Sequence, residues 1–199
     1  AVNLLVELTN RDFVAQYVTK NAAPRNVYSA KLKGEFRKTR IDNLFKSSGS
    51  YTQTPENELD VLIVDEAHRL NEKSGLFHNL GENQIKEIIF ASQFSIFFID
   101  ENQRVTLRDI GSSGLIKKFA YELGANITEM ELSSQFRCDG SDGYIAWIDD
   151  VLQIRETANI NDMGLDYDFR VYSDPNEMLN EIIKLNEENN KCRVVAGYC

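Results

Sequence analysis

Two stretches of the chain are apolar almost without interruption. Leu59 to Val64 and Phe94 to Ile99 lack the in–out alternation of a half-solvated strand. They read as strands buried on both faces, the pattern of a parallel sheet covered by helices. Helical spacing follows each of them or lies between them: Ile85, Ile88 and Ile89; then Leu115, Ile116, Phe119 and Leu123, stopped by Gly124; then Tyr144, Ile145, Ile148, Val151 and Leu152. Upstream, Ala1 to Leu8 predicts a helix, Phe13 to Val18 a strand, and Pro24 the first turn of a further helix. Residues 46–58 are polar and predict an exposed loop, and Ile127 to Leu132 predicts a third strand. Near the end, Phe169 to Tyr172 predicts a strand. Asp174, Pro175 and Glu177 sign the start of a helix, and Val194 to Ala196 predicts a last strand. Repeated strand-then-helix units mean an α/β fold with helices on both faces of a parallel sheet. The polar run 155–167 lies inside the region expected to link two parts, so the expected organisation is a first domain over 1–152, a linker over 153–167 and the start of a second domain over 168–199.

Composition narrows the class. The chain has 199 residues, 42% of them hydrophobic and 27% charged, which excludes a disordered or fibrous protein. No apolar run reaches the length of a transmembrane helix, and three cysteines without CxxC spacing fit a reducing compartment, so a cytoplasmic location is expected. The chain opens at Ala1 in mid-helix without a capping residue, which predicts the edge of a longer protein. Net charge is −9, against a uniformly basic nucleic-acid binder. The charge is uneven, however. Residues 20–46 hold eight Lys and Arg against Glu35 and Asp42, a local +6 suited either to phosphate contact or to a solvated helix face.

Ligands of open parallel sheets bind beyond the carboxyl ends of the strands. There the sequence places Asp65-Glu66-Ala67-His68-Arg69 after one apolar run, Asp100-Glu101-Asn102-Gln103-Arg104 after the next, and Ser134-Gln135-Phe136-Arg137 after the predicted third strand. A carboxylate on a rigid strand end can hold Mg²⁺, and its neighbour can take a proton from water. A glutamine can sense a terminal phosphate, and an arginine can offset charge in a transition state. Each feature alone has an ordinary structural explanation; their order along the chain is the signal.

That order resembles superfamily 1 helicases. Val64-Asp65-Glu66-Ala67-His68 is similar to their Walker B motif, and Tyr17-Val18-Thr19-Lys20-Asn21-Ala22-Ala23-Pro24-Arg25 to motif Ia. Phe98-Ile99-Asp100-Glu101-Asn102-Gln103 resembles motif III, and Leu132-Ser133-Ser134-Gln135-Phe136-Arg137 resembles motif IV. The whole set of motifs, together with Arg69-Leu70-Asn71-Glu72-Lys73-Ser74-Gly75, most resembles the Schlafen group 3-like DNA/RNA helicase domain family of bacterial proteins, over essentially the whole chain. The resemblance implies a RecA-like P-loop NTPase sheet flanked by helices and truncated at both ends. It implies Mg²⁺ and ATP as cofactors and DNA or RNA, single-stranded, as partner, with no membrane. Asp65 would hold the metal. Glu66, Gln103 and Arg137 would be catalytic, His68 would couple the nucleotide site to its neighbours, and Thr19, Lys20, Asn21 and Arg25 would contact the nucleic-acid backbone. The expected activity of the parent protein is ATP hydrolysis coupled to translocation on, or remodelling of, nucleic acid. The alternative is an ATP switch or nucleotide-independent binding scaffold. The family's phosphate loop, G-x-x-x-x-G-K-[ST], occurs nowhere in the 199 residues, nor do motifs V and VI, and Arg104 to Gly111 holds no aromatic residue to stack a base. The chain by itself is therefore expected to be inactive as an ATPase.

Overall fold

The computed structural model describes residues 1–34, 37–131, 142–154 and 170–195. The chain divides into two compact units, Ala1–Glu131 and Leu132–Cys199.

The first unit is an α/β layer structure. In chain order its elements are α1 (Val2–Asn10), β1 (Ala15–Val18), α2 (Ala22–Leu32), α3 (Lys38–Leu44), β2 (Phe45–Lys46), β3 (Leu59–Val64), α4 (Gln84–Ala91), β4 (Ser92–Phe97) and α5 (Ser113–Glu122). The four strands form one parallel sheet in the order β2-β1-β3-β4. The fold is of the RecA-like kind, as the sequence predicted.

Strand β3 shows why an unbroken apolar run is needed. Leu62 and Val64 point to the face covered by α4 and α5, where they meet Ile85, Ile88 and Phe119. Val61 and Ile63 point to the opposite face, where they meet Leu5 of α1, Ile41 of α3 and Phe45. Each such side chain contributes about 1.5–3 kcal/mol on burial, and neither face can be polar. The helices begin and end on chemistry that is visible in the sequence. Asn83 accepts the Ile85 N–H at 3.0 Å to cap α4, Ser112 accepts the Leu115 N–H at 3.2 Å to cap α5, and Gly124 leaves α5 at φ +71°.

Register positions the site. Val18 pairs with Val64, and Val64 with Phe97, so three strands end in one row. The residues that follow them, Thr19-Lys20, Asp65-Glu66 and Phe98 to Asp100, therefore leave the sheet along one edge.

Several expectations need correction. The run Phe94–Ile99 is not a strand buried on both faces: β4 spans Ser92–Phe97, and Phe94 is 62% exposed because no described element covers it. Ile127–Glu131, the described part of the predicted third strand, is not a strand. Its side chains are largely solvated, and β4, the last strand of the sheet, pairs on the described side only with β3. Residues 46–58 are not simply an exposed loop. Ser48 and Tyr51 are buried in a 3₁₀ turn, with the Tyr51 hydroxyl donating to Gln16 Oε1 at 2.9 Å. Neither α3 nor β2 was predicted: seven residues and two residues are too short for a periodicity to declare itself.

In the second unit the described elements are α6 (Asp142–Val151) and α7 (Pro175–Asn189). Asp174 caps α7 by accepting the Asn176 N–H at 2.8 Å, and Pro175 is its first residue, as predicted. Arg170 to Tyr172 and Val194 to Val195 are not strands, because no described neighbour pairs with them; Phe169 and Ala196 lie outside the described residues. Among the described residues no helix is long and apolar enough to cross a membrane.

Candidate nucleotide and nucleic-acid site

At the carboxyl edge of the sheet a continuous chain of polar contacts runs from β1 to the segment after β4. Tyr17 starts it. Its ring is buried, edge-on to Tyr28 and Phe45 at centroid distances of 6.0 and 5.7 Å. Its hydroxyl emerges at the strand end and donates to Asp65 Oδ2 at 2.5 Å. Burial, then the Asp65 carboxylate, push the phenol's pKa well above its ordinary value, so it remains a donor throughout the accessible pH range. Asp65 is held on its other side as well: Oδ1 accepts the Glu66 N–H at 3.2 Å, and the Asp65 N–H donates to the Val18 carbonyl at 2.8 Å.

Glu66 has left-handed backbone angles, φ 55° and ψ 45°. For a side chain with a Cβ this costs on the order of 1–3 kcal/mol, and such strain concentrates at functional sites. The turn is over-determined by its surroundings: Arg69 N–H donates to the Glu66 carbonyl at 2.9 Å, and Ala67 N–H donates to the Phe98 carbonyl at 2.9 Å. The result is a carboxylate that remains 40% exposed above a buried 3₁₀ turn, Ala67–Arg69. His68 in that turn is buried. Its Nδ1 accepts the Asp100 N–H at 3.3 Å, which places the ring proton on Nε2, 3.1 Å from Glu66 Oε2. That second contact is poorly directed for a hydrogen bond. Asp100 caps the next 3₁₀ turn, Glu101–Gln103, and its Oδ2 accepts from Gln103 Nε2 at 2.8 Å.

The structure thus brings Asp65, Glu66, His68 and Gln103 to one edge of the sheet, joined through Asp100. Arg137 lies outside the described residues.

A second cluster lies beside the first. Asp109 is buried on the loop after β4. Its Oδ1 is 2.7 Å from Lys20 Nζ and its Oδ2 is 2.9 Å from Arg69 Nε, while the Val105 and Thr106 N–H groups donate to Oδ2 at 3.1 and 3.0 Å. Lys20 also donates to Asn71 Oδ1 at 3.0 Å. Burial alone would raise the Asp109 pKa, but Lys20 and the two backbone donors bring it down to about 2. Gly111 lets this loop pass under the turn: a Cβ there would stand 1.9 Å from the Ala67 carbonyl oxygen.

Of the residues expected to contact nucleic acid, Thr19 is fully buried, and its hydroxyl accepts the Asn21 N–H at 3.3 Å. Lys20 is 26% exposed and committed to Asp109. Asn21 precedes α2, and Arg25 on its first turns donates from Nε to the Asn21 carbonyl at 3.4 Å. Tyr17 lies in the motif Ia-like run and Arg69 and Asn71 in the Arg69–Gly75 run, but nothing there singles any of them out as a site residue, and Asp109 lies in no motif. A buried Asp in Arg108-Asp109-Ile110 has no local signature, because its partners lie 40 and 89 residues away.

The sheet, the acidic pair at a strand end and the polar chain joining two strand ends define the class: a RecA-like α/β domain with a helicase-type arrangement of motifs. The description "Schlafen group 3, DNA/RNA helicase domain" matches residues 1–199. The chain belongs to this family. It is 25% identical over 158 residues to the uncharacterized protein YPL245W of Saccharomyces cerevisiae, a match covering 70% of this chain and 35% of the yeast protein. The chain thus spans about a third of the length of that curated relative. No solved structure matches.

Removing only the Tyr17 hydroxyl (Tyr17→Phe) is expected to leave the fold intact and cost about 1 kcal/mol, read as a midpoint shift in urea unfolding with an unchanged slope. Tyr17→Ala, which empties a buried ring site, is expected to cost about 3–5 kcal/mol.

Proposed function

We propose that this chain is the nucleotide-handling part of a helicase-like ATPase that moves along or remodels single-stranded DNA or RNA, with residues 1–152 as the first motor domain, 153–167 as the linker and 168–199 as the start of the second. The observation that carries this reading is the polar chain from Tyr17 through Asp65, Glu66, His68 and Asp100 to Gln103, in a member of a DNA/RNA helicase domain family.

The donor set suits a hard cation brought in with a nucleotide. Among the described residues no three His, Cys, Asp or Glu groups gather as a resident metal site. Mg²⁺ is commonly held by only one or two carboxylates together with substrate phosphates, which matches the Asp65–Glu66 pair. When bound there, Mg²⁺ would offset charge on the phosphates of ATP. Asp65 is the ligand we assign, oriented by the Tyr17 hydroxyl and the Glu66 N–H. Glu66 accepts the proton of the attacking water, and Gln103, fixed by Asp100, reports the terminal phosphate. His68 couples them, since one ring touches the carboxylate after β3 and the backbone after β4. Arg137 is assigned to transition-state charge. The nucleic-acid backbone is assigned to the 19–25 segment, with Asn21 and Arg25 facing it and Thr19 and Lys20 fixing its shape. The 199 residues lack a phosphate loop, so alone they are expected to hydrolyse ATP poorly or not at all.

The nucleic-acid half is tested by salt. If Arg25 and Lys20 neutralise phosphates, Lys20→Ala with Arg25→Ala flattens the slope of log K against log salt by about 0.7 per lost contact on a single strand. Because Lys20 is committed to Asp109, Arg25→Ala alone is expected to account for most of that change. An unaltered slope would assign the basic stretch to solvent. The nucleotide half is tested by turnover: tight nucleotide binding with negligible product release would favour a switch over a motor.

A further inference from the structure

The loop after β4 straps the turn that carries Glu66. The Asp109 side chain is fully buried, and its Oδ2 lies 2.9 Å from Arg69 Nε on that turn. The next residue, Ile110, donates its N–H to the Leu70 carbonyl at 2.8 Å. Gly111 then packs against the Ala67 carbonyl, and its own carbonyl accepts from Arg104 Nε and Nη2 at 3.2 and 2.9 Å. Three consecutive residues of one loop thus hold the 3₁₀ turn that opens on the left-handed Glu66.

The same carboxylate reaches a third segment. Its Oδ1 accepts from Lys20 Nζ at 2.7 Å, and Lys20 belongs to the 19–25 stretch assigned to the nucleic-acid backbone. Asn71, just past the turn, accepts from the same ammonium at 3.0 Å. Lys20 and Arg69 therefore share one counter-charge, and a displacement of either cation is felt by the other through it. Stability alone gives no reason for charge at this position, because a buried ion cluster replaced as a whole by apolar side chains often leaves a fold as stable or more so. What the cluster adds is a directional tie between the segment after β1, the turn after β3 and the loop after β4.

We infer that Asp109 is a positioning residue that couples the two halves of the proposed site, linking the 19–25 segment to the turn of Glu66 so that a shift of one moves the other. The inference rests on the proposed function. Coupling is reciprocal and is read at equilibrium as the factor by which one ligand changes the affinity for the other. The protein that carries this domain together with a phosphate-binding loop is titrated with a labelled oligothymidylate of about 16 nucleotides, with and without saturating Mg²⁺ and a non-hydrolysable ATP analogue. In wild type the analogue is expected to change the strand affinity about fivefold or more. Asp109→Asn keeps an acceptor for the Val105 and Thr106 N–H groups, and is expected to bring that factor to about 1 while each ligand alone still binds. A purely structural role would lower the thermal transition or weaken both ligands and leave the factor unchanged. If Asp109→Asn does not fold, Lys20→Ala decides. Lys20 keeps 26% of its side chain in water and its removal leaves Asp109 with Arg69, so this variant should fold and also lose the factor. A factor that survives in either folded variant, or is already absent from wild type, overturns the coupling and leaves the proposed function standing. A wild-type protein that fails to bind the strand or the analogue overturns that function, and the coupling with it.

Discussion

Glu66→Gln should reduce ATP turnover by about 10²–10⁴-fold in a protein that carries this domain together with a phosphate-binding loop, while ATP still binds. The substitution is chosen for what it preserves. Glutamine has nearly the volume of glutamate, and its carbonyl oxygen can still face the His68 Nε2 proton at the 3.1 Å separation seen here. The left-handed backbone at residue 66 is set by the Ala67–Phe98 and Arg69–Glu66 bonds, not by the side chain, so the turn remains. Only the capacity to take a proton is lost. The measurement is steady-state phosphate release with and without single-stranded nucleic acid, paired with an equilibrium nucleotide-binding assay. Turnover indifferent to the change would remove Glu66 from the mechanism. Equal loss of binding and turnover would instead make it a ligand for the nucleotide or its ion.

Asp109→Ala is expected to cost about 3 kcal/mol or more in urea unfolding. The reason is asymmetry: removing one partner of a buried ion pair leaves the other charged and poorly solvated, at about 3–5 kcal/mol. Here two cations, Lys20 and Arg69, lose their counter-charge together, and two backbone donors lose their acceptor. Both cations keep about a quarter of their side-chain surface in water, which holds the cost toward the lower end. Asp109→Asn retains an acceptor for the Val105 and Thr106 N–H groups and should cost less. The acid limb carries a second signature. The Asp109 pKa is about 2 in the fold against an ordinary 3.8, so its contribution is complete above about pH 4 and is lost as the pH falls through 2. The asparagine variant should lack that part of the acid dependence. A variant as stable as wild type across this window would show that the pair contributes nothing net.

Much of the first unit was legible in the sequence because the signals are local and repeated. The run at Leu59–Val64 declared a strand covered on both faces, the run at Phe94–Ile99 located β4 but not its exposure, and Gly124, Asp174 and Pro175 marked helix ends by their own backbone preferences. The acidic pair at Asp65–Glu66 and Gln103 were visible as side chains that follow strands. The failures share one cause. Ile127–Glu131 has strand-like residues, but a strand exists only if a neighbour pairs with it, and pairing is not written in the segment itself. Tyr51 reads as part of a polar loop, yet packing buries it.

Taken by itself, the sequence determined the parallel α/β class, the strand ends from which chemistry could project, and the membership of a helicase-type motif order. Only the tertiary structure decided which side chains serve the site and which serve the scaffold. Lys20, Arg25 and Arg69 look alike as letters. The fold commits Lys20 and Arg69 to a carboxylate 89 and 40 residues away, leaves Arg25 beside the start of α2, and exposes Phe77 where a buried ring would have been the ordinary expectation. Hydrophobic period and backbone preference act over a few residues, whereas burial and charge pairing depend on neighbours that folding alone brings into contact.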